Sequence, residues 1–404
     1  MTTNVPSVVK PPPGNPRFPL FDGLRAVAVI AVVLSHVSFI VGVSREGGVG
    51  ALFSNLDVGV TIFFVISGFL LYRPFIASDF SGKPMATMRY FRRRVLRIVP
   101  LYWVVLTILA LVESSVVSGV FTQDWWRYYF FLHTYASSPY VRVGGLTQTW
   151  SLNIEVAFYI ALPIYALLAR RFLGGSNARR RMWRELTVLA TVAALSIALR
   201  ALTVPAGNAR FVESLPSYAG WFAVGMALAV VSACVGRVAR ADAIAAALGR
   251  NTLVLAALAL LVYVSLGTVA QGTTNGFREQ NLATDLVFFI LTAIVAGCLA
   301  SIAIFGTTEG RFKFPERLMA SRPMVSIGLI SYGIFLWHMA IIVIVVEKSD
   351  LFASGLSLAL RAIAATLLTA LVVLPLAELT YYLIERPALG FKEPRKDEEP
   401  VAET

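Results

Sequence analysis

Six ionisable side chains sit inside long apolar runs of this sequence: Asp22, Arg25, His36, Glu155, His338 and Glu378. A charge or an imidazole in hydrocarbon is costly, so each marks a functional candidate. A neutral imidazole takes a proton from a hydroxyl as general base, or carries a transferred group itself. A buried carboxylate orients such an imidazole or balances the charge it acquires. Arg25 precedes His36 by eleven residues, which is three helical turns, so both fall near one face about 16 Å apart along the axis. Arg92, Arg93, Arg94 and Arg97 open a later apolar run. Guanidinium groups in that number suit phosphates. The axial separation is comparable to an extended pantetheine arm. A nucleotide head held at the arginine end would then present a thioester near His36.

These residues need a scaffold, and the composition says what kind. Of 404 residues, 57% are hydrophobic and only 14% charged, and mean hydropathy is +0.73. Soluble domains carry about 25% charge. A chain this apolar has lipid for its solvent, and the expected fold is an all-α polytopic membrane protein. A spanning helix needs about 20 mostly apolar residues. Ten such runs lie near 21–43, 57–77, 97–116, 147–169, 186–204, 216–235, 251–271, 282–305, 324–346 and 359–383. With both termini in the cytoplasm, the inward loops hold more than twice as many Lys and Arg as the outward ones, which is the positive-inside bias. The net charge of +12 therefore reads as topology and attraction to anionic lipid or an anionic co-substrate, not as nucleic-acid binding. Counting about 1.5 Å per residue from the helix ends, His36 lies roughly 22 Å, His338 roughly 20 Å and Glu155 roughly 18 Å above the inner boundary. Three helices thus bring His36, Glu155 and His338 to one layer, with the arginines near the inner surface.

The motifs around these residues resemble membrane-bound acyltransferase family 3, which includes O-antigen and peptidoglycan O-acetyltransferases and macrolide acyltransferases. Leu20-Phe21-Asp22-Gly23-Leu24-Arg25-Ala26 followed by His36 has the family's basic residue, ten intervening residues and His. The run Gly59 to Leu70 follows, then Arg93-Arg94-Val95-Leu96-Arg97, with Arg94 and Arg97 as the family's Arg-x-x-Arg. Trp150-Ser151-Leu152 precedes Glu155, Phe158, Tyr159 and Pro163. Ser331-Tyr332 precedes Leu336 and His338, and Ile384-Glu385-Arg386-Pro387 comes last. The resemblance covers nearly the whole chain. It implies transfer of a short acyl group, most often acetyl, from cytoplasmic acyl-CoA to a hydroxyl of a glycan, glycolipid or similar acceptor at the cell membrane. It implies that Arg25, Arg94 and Arg97 hold acyl-CoA, with Arg92 and Arg93 as further candidates. His36 and Glu155 would be catalytic, and Tyr332 and His338 secondary candidates for polarising the thioester carbonyl. Acyl-CoA is expected as co-substrate, with no permanently bound cofactor and no metal. Some members carry an additional hydrolase-like domain, which this chain is expected to lack. The expectation is that the membrane domain completes the transfer, or that a separate extracytoplasmic transferase partner does.

The expected organisation is a disordered tail over 1–17, a transmembrane acyltransferase domain over 18–387 and a charged tail over 388–404. Several features have plainer readings. Asp22 and Arg25 make a structural ion pair at a helix start, and Arg92 to Arg97 a stop-transfer anchor. His133 is read as an interface residue, Trp125–Leu132 as an interfacial stretch too short to span, and Ser67 and Gly68 as helix packing. Glu378 tethers helix ends. Cys234 and Cys298 form no disulfide or metal-ligand pattern and are read as small core residues. The rival class is a proton-coupled carrier of a lipid-linked sugar. Carriers often show repeated halves, and no repeat is visible here.

Overall fold

The computed structural model describes residues 19–81, 87–112, 120–138, 146–175, 177–269, 281–306, 313–349 and 355–390. Among them there is helix and turn but no strand. The main helices in chain order are α1 (Pro19–Val41), α2 (Val58–Ser81), α3 (Thr87–Val112), α4 (Trp150–Leu173), α5 (Ala178–Thr203) and α6 (Leu215–Cys234). There follow α7 (Ala239–Arg250), α8 (Thr252–Val269), α9 (Leu282–Phe305), α10 (Arg322–Leu329), α11 (Ser331–Lys348) and α12 (Leu358–Thr380). Eight of these are long and apolar enough to cross a membrane. The pairs α7–α8 and α10–α11 are bent by 72° and 75°, and counting each as one span gives ten. The protein is a multi-pass membrane protein whose spans match the ten apolar runs, with one correction. The run expected as a single helix over 324–346 breaks at Ile330, so depth cannot be counted along it as one straight rod.

The break follows from how α10 docks. A Cβ on Gly328 would overlap the backbone carbonyl of Asp22, and one on Gly23 would overlap the backbone of Met319. Backbone meets backbone there, which only glycine permits. α10 thereby crosses the start of α1, while α11 turns and packs along α1 towards α12. The same device joins α2 to α6. A Cβ on Gly68 would overlap the Phe222 carbonyl, and one on Gly225 the Val65 carbonyl. Close approach of small residues replaces the hydrophobic driving force that lipid removes. Phe222 stacks on Phe64 at 4.6 Å and on Phe158 at 4.0 Å, which adds α4 to the same core.

Polar side chains complete the backbone where proline breaks it. Pro163 lies inside α4 and has no N–H, so the carbonyl of Tyr159 lacks its helical donor. The hydroxyl of Tyr90 on α3 donates to that carbonyl at 3.2 Å. A buried network ties α2, α4 and α5. Tyr72 and Tyr165 donate to Glu185 at 2.8 and 3.2 Å, and Arg181 reaches Asp79 at 2.5 Å and Glu185 at 3.4 Å. At the other end of α5, Arg200 clasps Asp285 of α9 with two nitrogens, at 2.8 and 2.5 Å.

The connection between α3 and α4 corrects another expectation. The aromatic stretch does form a short helix, Trp125–Tyr129, with both tryptophans exposed. Phe131 then takes a left-handed conformation, φ 59, and stacks on Tyr102 at 4.4 Å. This turn drives His133 inwards, where it is 1% exposed instead of interfacial. Asn153 donates to its Nδ1 at 3.3 Å, so Nε2 carries the hydrogen and faces Thr149 at 3.4 Å. Burial lowers the His133 pKa to about 4. Cys234 and Cys298 are buried and free, as read. The expected tails lie outside the described residues, except that a helix over Arg386–Gly390 continues past 387.

Candidate active site

α1 lies at the centre of the bundle, against α2, α9, α10, α11 and α12. It carries two functional levels about three turns apart. At the upper level, His36 meets His338 of α11, with His338 Nε2 3.0 Å from His36 Nδ1. His338 is completely buried and His36 half-buried. The hydrogen positions follow from the partners. His338 Nδ1 faces two backbone carbonyls, Phe335 at 2.8 Å and Ile334 at 3.1 Å. Carbonyls only accept, so Nδ1 carries the hydrogen and Nε2 of the neutral ring is bare. It must accept from His36 Nδ1–H. The lone pair of His36 is then on Nε2, the nitrogen pointing away from His338. The carbonyl of Val32, one turn back, is a further acceptor beside the His36 ring. Gln148, just before α4, donates to the carbonyls of Leu336 at 3.0 Å and Phe335 at 3.3 Å. It holds the peptide that holds His338.

At the lower level a cavity of about 120 Å³ opens among α1, α2, α3, α4 and α11. Arg25, Arg94, Arg97, Glu155 and Tyr332 all line it, as do Ser67 and Tyr159. Phe63, Phe64, Leu70 and Phe335 supply apolar wall. A cavity of this size has room for a short acyl group and its sulfur, not for a nucleotide; an apolar cavity of about 150 Å³ holds benzene. Phe335 belongs to both levels, since its ring lines the cavity and its carbonyl accepts from His338.

The charges in this cavity are more nearly balanced than the motifs imply. Arg25 bonds Asp22 at 2.9 Å, the ion pair anticipated at the helix start. Arg97 bonds the buried Glu385 at 2.8 Å. A π-helical turn over Tyr381–Glu385 carries that carboxylate, an irregularity common at functional sites. Arg94 has no carboxylate partner among the described residues; its guanidinium lies over the Tyr159 ring, 6.0 Å from the centroid. Arg92 is exposed and Arg93 half-buried at the start of α3, and neither lines the cavity.

Glu155 is engaged differently from the sequence expectation. It accepts from Ser67 Oγ at 2.5 Å and from Tyr159 OH at 2.8 Å, and among the described residues it makes no hydrogen bond to His36. The contact assigned to Glu155 is made by His338 instead. The depth count set these residues in one layer within an error of about a helical turn. The contacts resolve them into two: the histidines bonded together, and Glu155 lining the cavity with the arginines. Ser67, read as packing, is a hydrogen-bond donor to a carboxylate; Gly68 does the packing. The Tyr332 hydroxyl donates to the Ile98 carbonyl at 2.8 Å, so its proton is committed to joining α11 and α3. Gln148, Ser67 and Glu385 belong to the site and were not singled out as functional. Each is a neutral residue or lies at a helix end, where hydropathy gives no signal.

The family described as an acyltransferase domain matches residues 19–378. The chain belongs to the acyltransferase 3 family. It is 24% identical over 395 residues to the peptidoglycan O-acetyltransferase OatA of Listeria monocytogenes, covering 91% of this chain and 55% of that protein. It is 26% identical over 383 residues to the putative peptidoglycan O-acetyltransferase YrhL of Bacillus subtilis, covering 91% and 54%. Against the O-acetyltransferase OatA of Staphylococcus aureus it is 24% identical, covering 94% and 58%. The chain thus spans little more than half the length of these relatives. No solved structure is significantly similar to it.

Proposed function

We propose that this acyltransferase takes a short acyl group, most simply acetyl, from acyl-CoA at the cytoplasmic face and delivers it to a hydroxyl of a glycan or glycolipid acceptor. The observation that carries this reading is the paired imidazoles, His36 and His338 at 3.0 Å, about three helical turns above Arg25 in a cavity that Arg94 and Arg97 also line. Arg92 and Arg93 at the start of α3 bind the nucleotide phosphates, and Arg94, which bonds no carboxylate directly among the described residues, binds the donor where it enters the cavity. The thioester arm runs up the cavity towards Phe335. His36 Nε2 removes the proton of the acceptor hydroxyl as that oxygen attacks the thioester carbon, and thiolate leaves. The imidazolium formed at His36 keeps its Nδ1–H on His338, a bond that strengthens when the donor becomes charged. His338 is in this scheme a positioning residue. Glu155, held by Ser67 and Tyr159, offsets the arginine charge and shapes the cavity. The bias of basic residues to one set of loops supports cytoplasmic termini and donor entry from that side. The names of the relatives support a cell-wall glycan as acceptor. A separate partner completing delivery outside the membrane is compatible with this scheme.

The test uses the purified chain with labelled acetyl-CoA and a pool of envelope glycans. Transfer is expected from the wild type and is lost in His36→Ala at normal expression. CoA is expected to raise the melting temperature, and Arg94→Ala to weaken that shift. Full activity in His36→Ala removes the base from the mechanism. Stabilisation by sugar alone, with none by CoA, removes the donor assignment.

A further inference from the structure

We propose a second binding site, separate from the acyl-transfer cavity, at the junction of α4 and α5: a groove that takes the headgroup of a membrane lipid carrying two phosphates. The groove has a volume of about 630 Å³, and Arg179, Arg180, Arg184, Trp183, Phe172 and Asn177 line it with no acidic side chain among the lining residues. Two arginines of this junction are paired with carboxylates, and three line the groove. Arg181 is buried and pairs with Asp79 and Glu185, and the exposed Arg170 approaches Asp79 at 3.7 Å. Arg179, Arg180 and Arg184 turn outward, are exposed, and meet no carboxylate among the described residues. Three like charges this close repel each other unless an anion from outside the chain joins them.

The surroundings say where that anion comes from. Asn177 caps α5, its side chain accepting from the Arg180 N–H, so the positive end of the helix dipole adds to the three guanidiniums. Trp183 is exposed beside them, and tryptophan favours the headgroup level of a bilayer. Leu167, Leu168 and Phe172 on α4 and Leu195 on α5 are exposed apolar side chains continuing away from the basic residues. A soluble anion has no use for that apolar continuation; acyl chains do. One phosphodiester brings one negative charge against three cations and fills a small part of the groove. A headgroup with two phosphates balances two of them and spans Arg180 and Arg184, which lie one helical turn apart.

The experiment measures lipid binding to the full-length protein in detergent, by native mass spectrometry and by melting temperature. The lipids are cardiolipin, phosphatidylglycerol and phosphatidylcholine, and inorganic pyrophosphate is the soluble two-phosphate control. Each basic side chain at an anionic surface contributes about fivefold in affinity, so three contribute on the order of a hundredfold. Cardiolipin is expected to bind the wild type and to bind the Arg179→Gln, Arg180→Gln, Arg184→Gln triple variant roughly a hundredfold more weakly. The corresponding triple Lys variant is expected to keep most of the affinity, and phosphatidylcholine to bind neither. Equal cardiolipin affinity in wild type and Gln variant overturns the site. Pyrophosphate binding as tightly as the lipid overturns the lipid assignment, and equal affinity for phosphatidylglycerol overturns the two-phosphate assignment. Should the triple Gln variant not fold, Arg184→Gln alone is read for its expected fivefold loss, and no loss there overturns the site equally.

Discussion

Replacing His338 by Leu isolates its part in the mechanism. The substitution keeps a buried apolar side chain of similar size but removes the Nε2 acceptor, which lies 3.0 Å from His36 Nδ1. In the resting enzyme that hydrogen bond joins two neutral rings and contributes about 1 kcal/mol; in the transition state its donor is cationic and the bond is worth about 1.5 to 3 kcal/mol. The difference, on the order of 0.5 to 2 kcal/mol, corresponds to a roughly two- to thirtyfold slower chemical step. Without His338, moreover, either nitrogen of His36 can carry the hydrogen, and only the form with a bare Nε2 is productive. The expected result is a kcat lower by roughly ten- to a hundredfold with the KM for acyl donor unchanged, because the arginine cavity is untouched. His338→Gln, whose amide oxygen accepts, should recover part of the loss. The double variant His36→Ala, His338→Leu should be no slower than His36→Ala alone, since the two act as a unit. The assay is single-turnover acyl transfer, with melting temperature recorded for each variant. If His338→Leu keeps kcat within about twofold at wild-type melting temperature while His36→Ala is inactive, the orientation argument is refuted.

Three further outcomes follow from the packing and electrostatics. Gly225→Ala puts a methyl group into the carbonyl of Val65, so α2 and α6 must separate; a stability loss of about 1 to 3 kcal/mol is expected in detergent melting, with little loss for the neighbouring Val224→Ala. Glu385→Ala leaves the guanidinium of Arg97 in the interior without its partner and should cost about 3 kcal/mol, whereas the paired change Glu385→Gln with Arg97→Gln should recover much of it. His133 is held neutral by burial, with a pKa of about 4 against 6.5 for the free side chain. The unfolded chain therefore binds a proton that the folded chain does not as pH falls from 6.5 to 4. Stability from this residue is intact above pH 6.5, declines through that window and is lower by about 3 kcal/mol below it. Melting curves across the window should show that slope, and His133→Asn should flatten it.

The chain's apolar runs, spaced by basic loops, were enough to read a helical membrane protein with up to ten spans, because backbone groups in lipid can be satisfied only within a helix or a closed barrel. The isolated His, Glu and Arg inside those runs were equally visible, since hydropathy makes a polar residue in hydrocarbon conspicuous. Their spacing along single helices separated His36 from Arg25 and brought Arg25 near Arg94 and Arg97. What sequence could not decide was which partners these groups choose, as that depends on the rotation of each helix about its axis and on where helices stop being straight. The break at Ile330 and the glycine contacts at Gly23 and Gly328 turn α11 so that His338, not Glu155, meets His36. The π-helical turn before Arg386 brings Glu385 to Arg97. Ser67, Gln148 and Glu185 carry no hydropathy signal, and only the assembled bundle reveals that each is a hydrogen-bond partner. Sequence thus determined which residues are exceptional in a membrane, because their cost is local. Tertiary structure decided how that cost is offset, because each partner comes from a different helix.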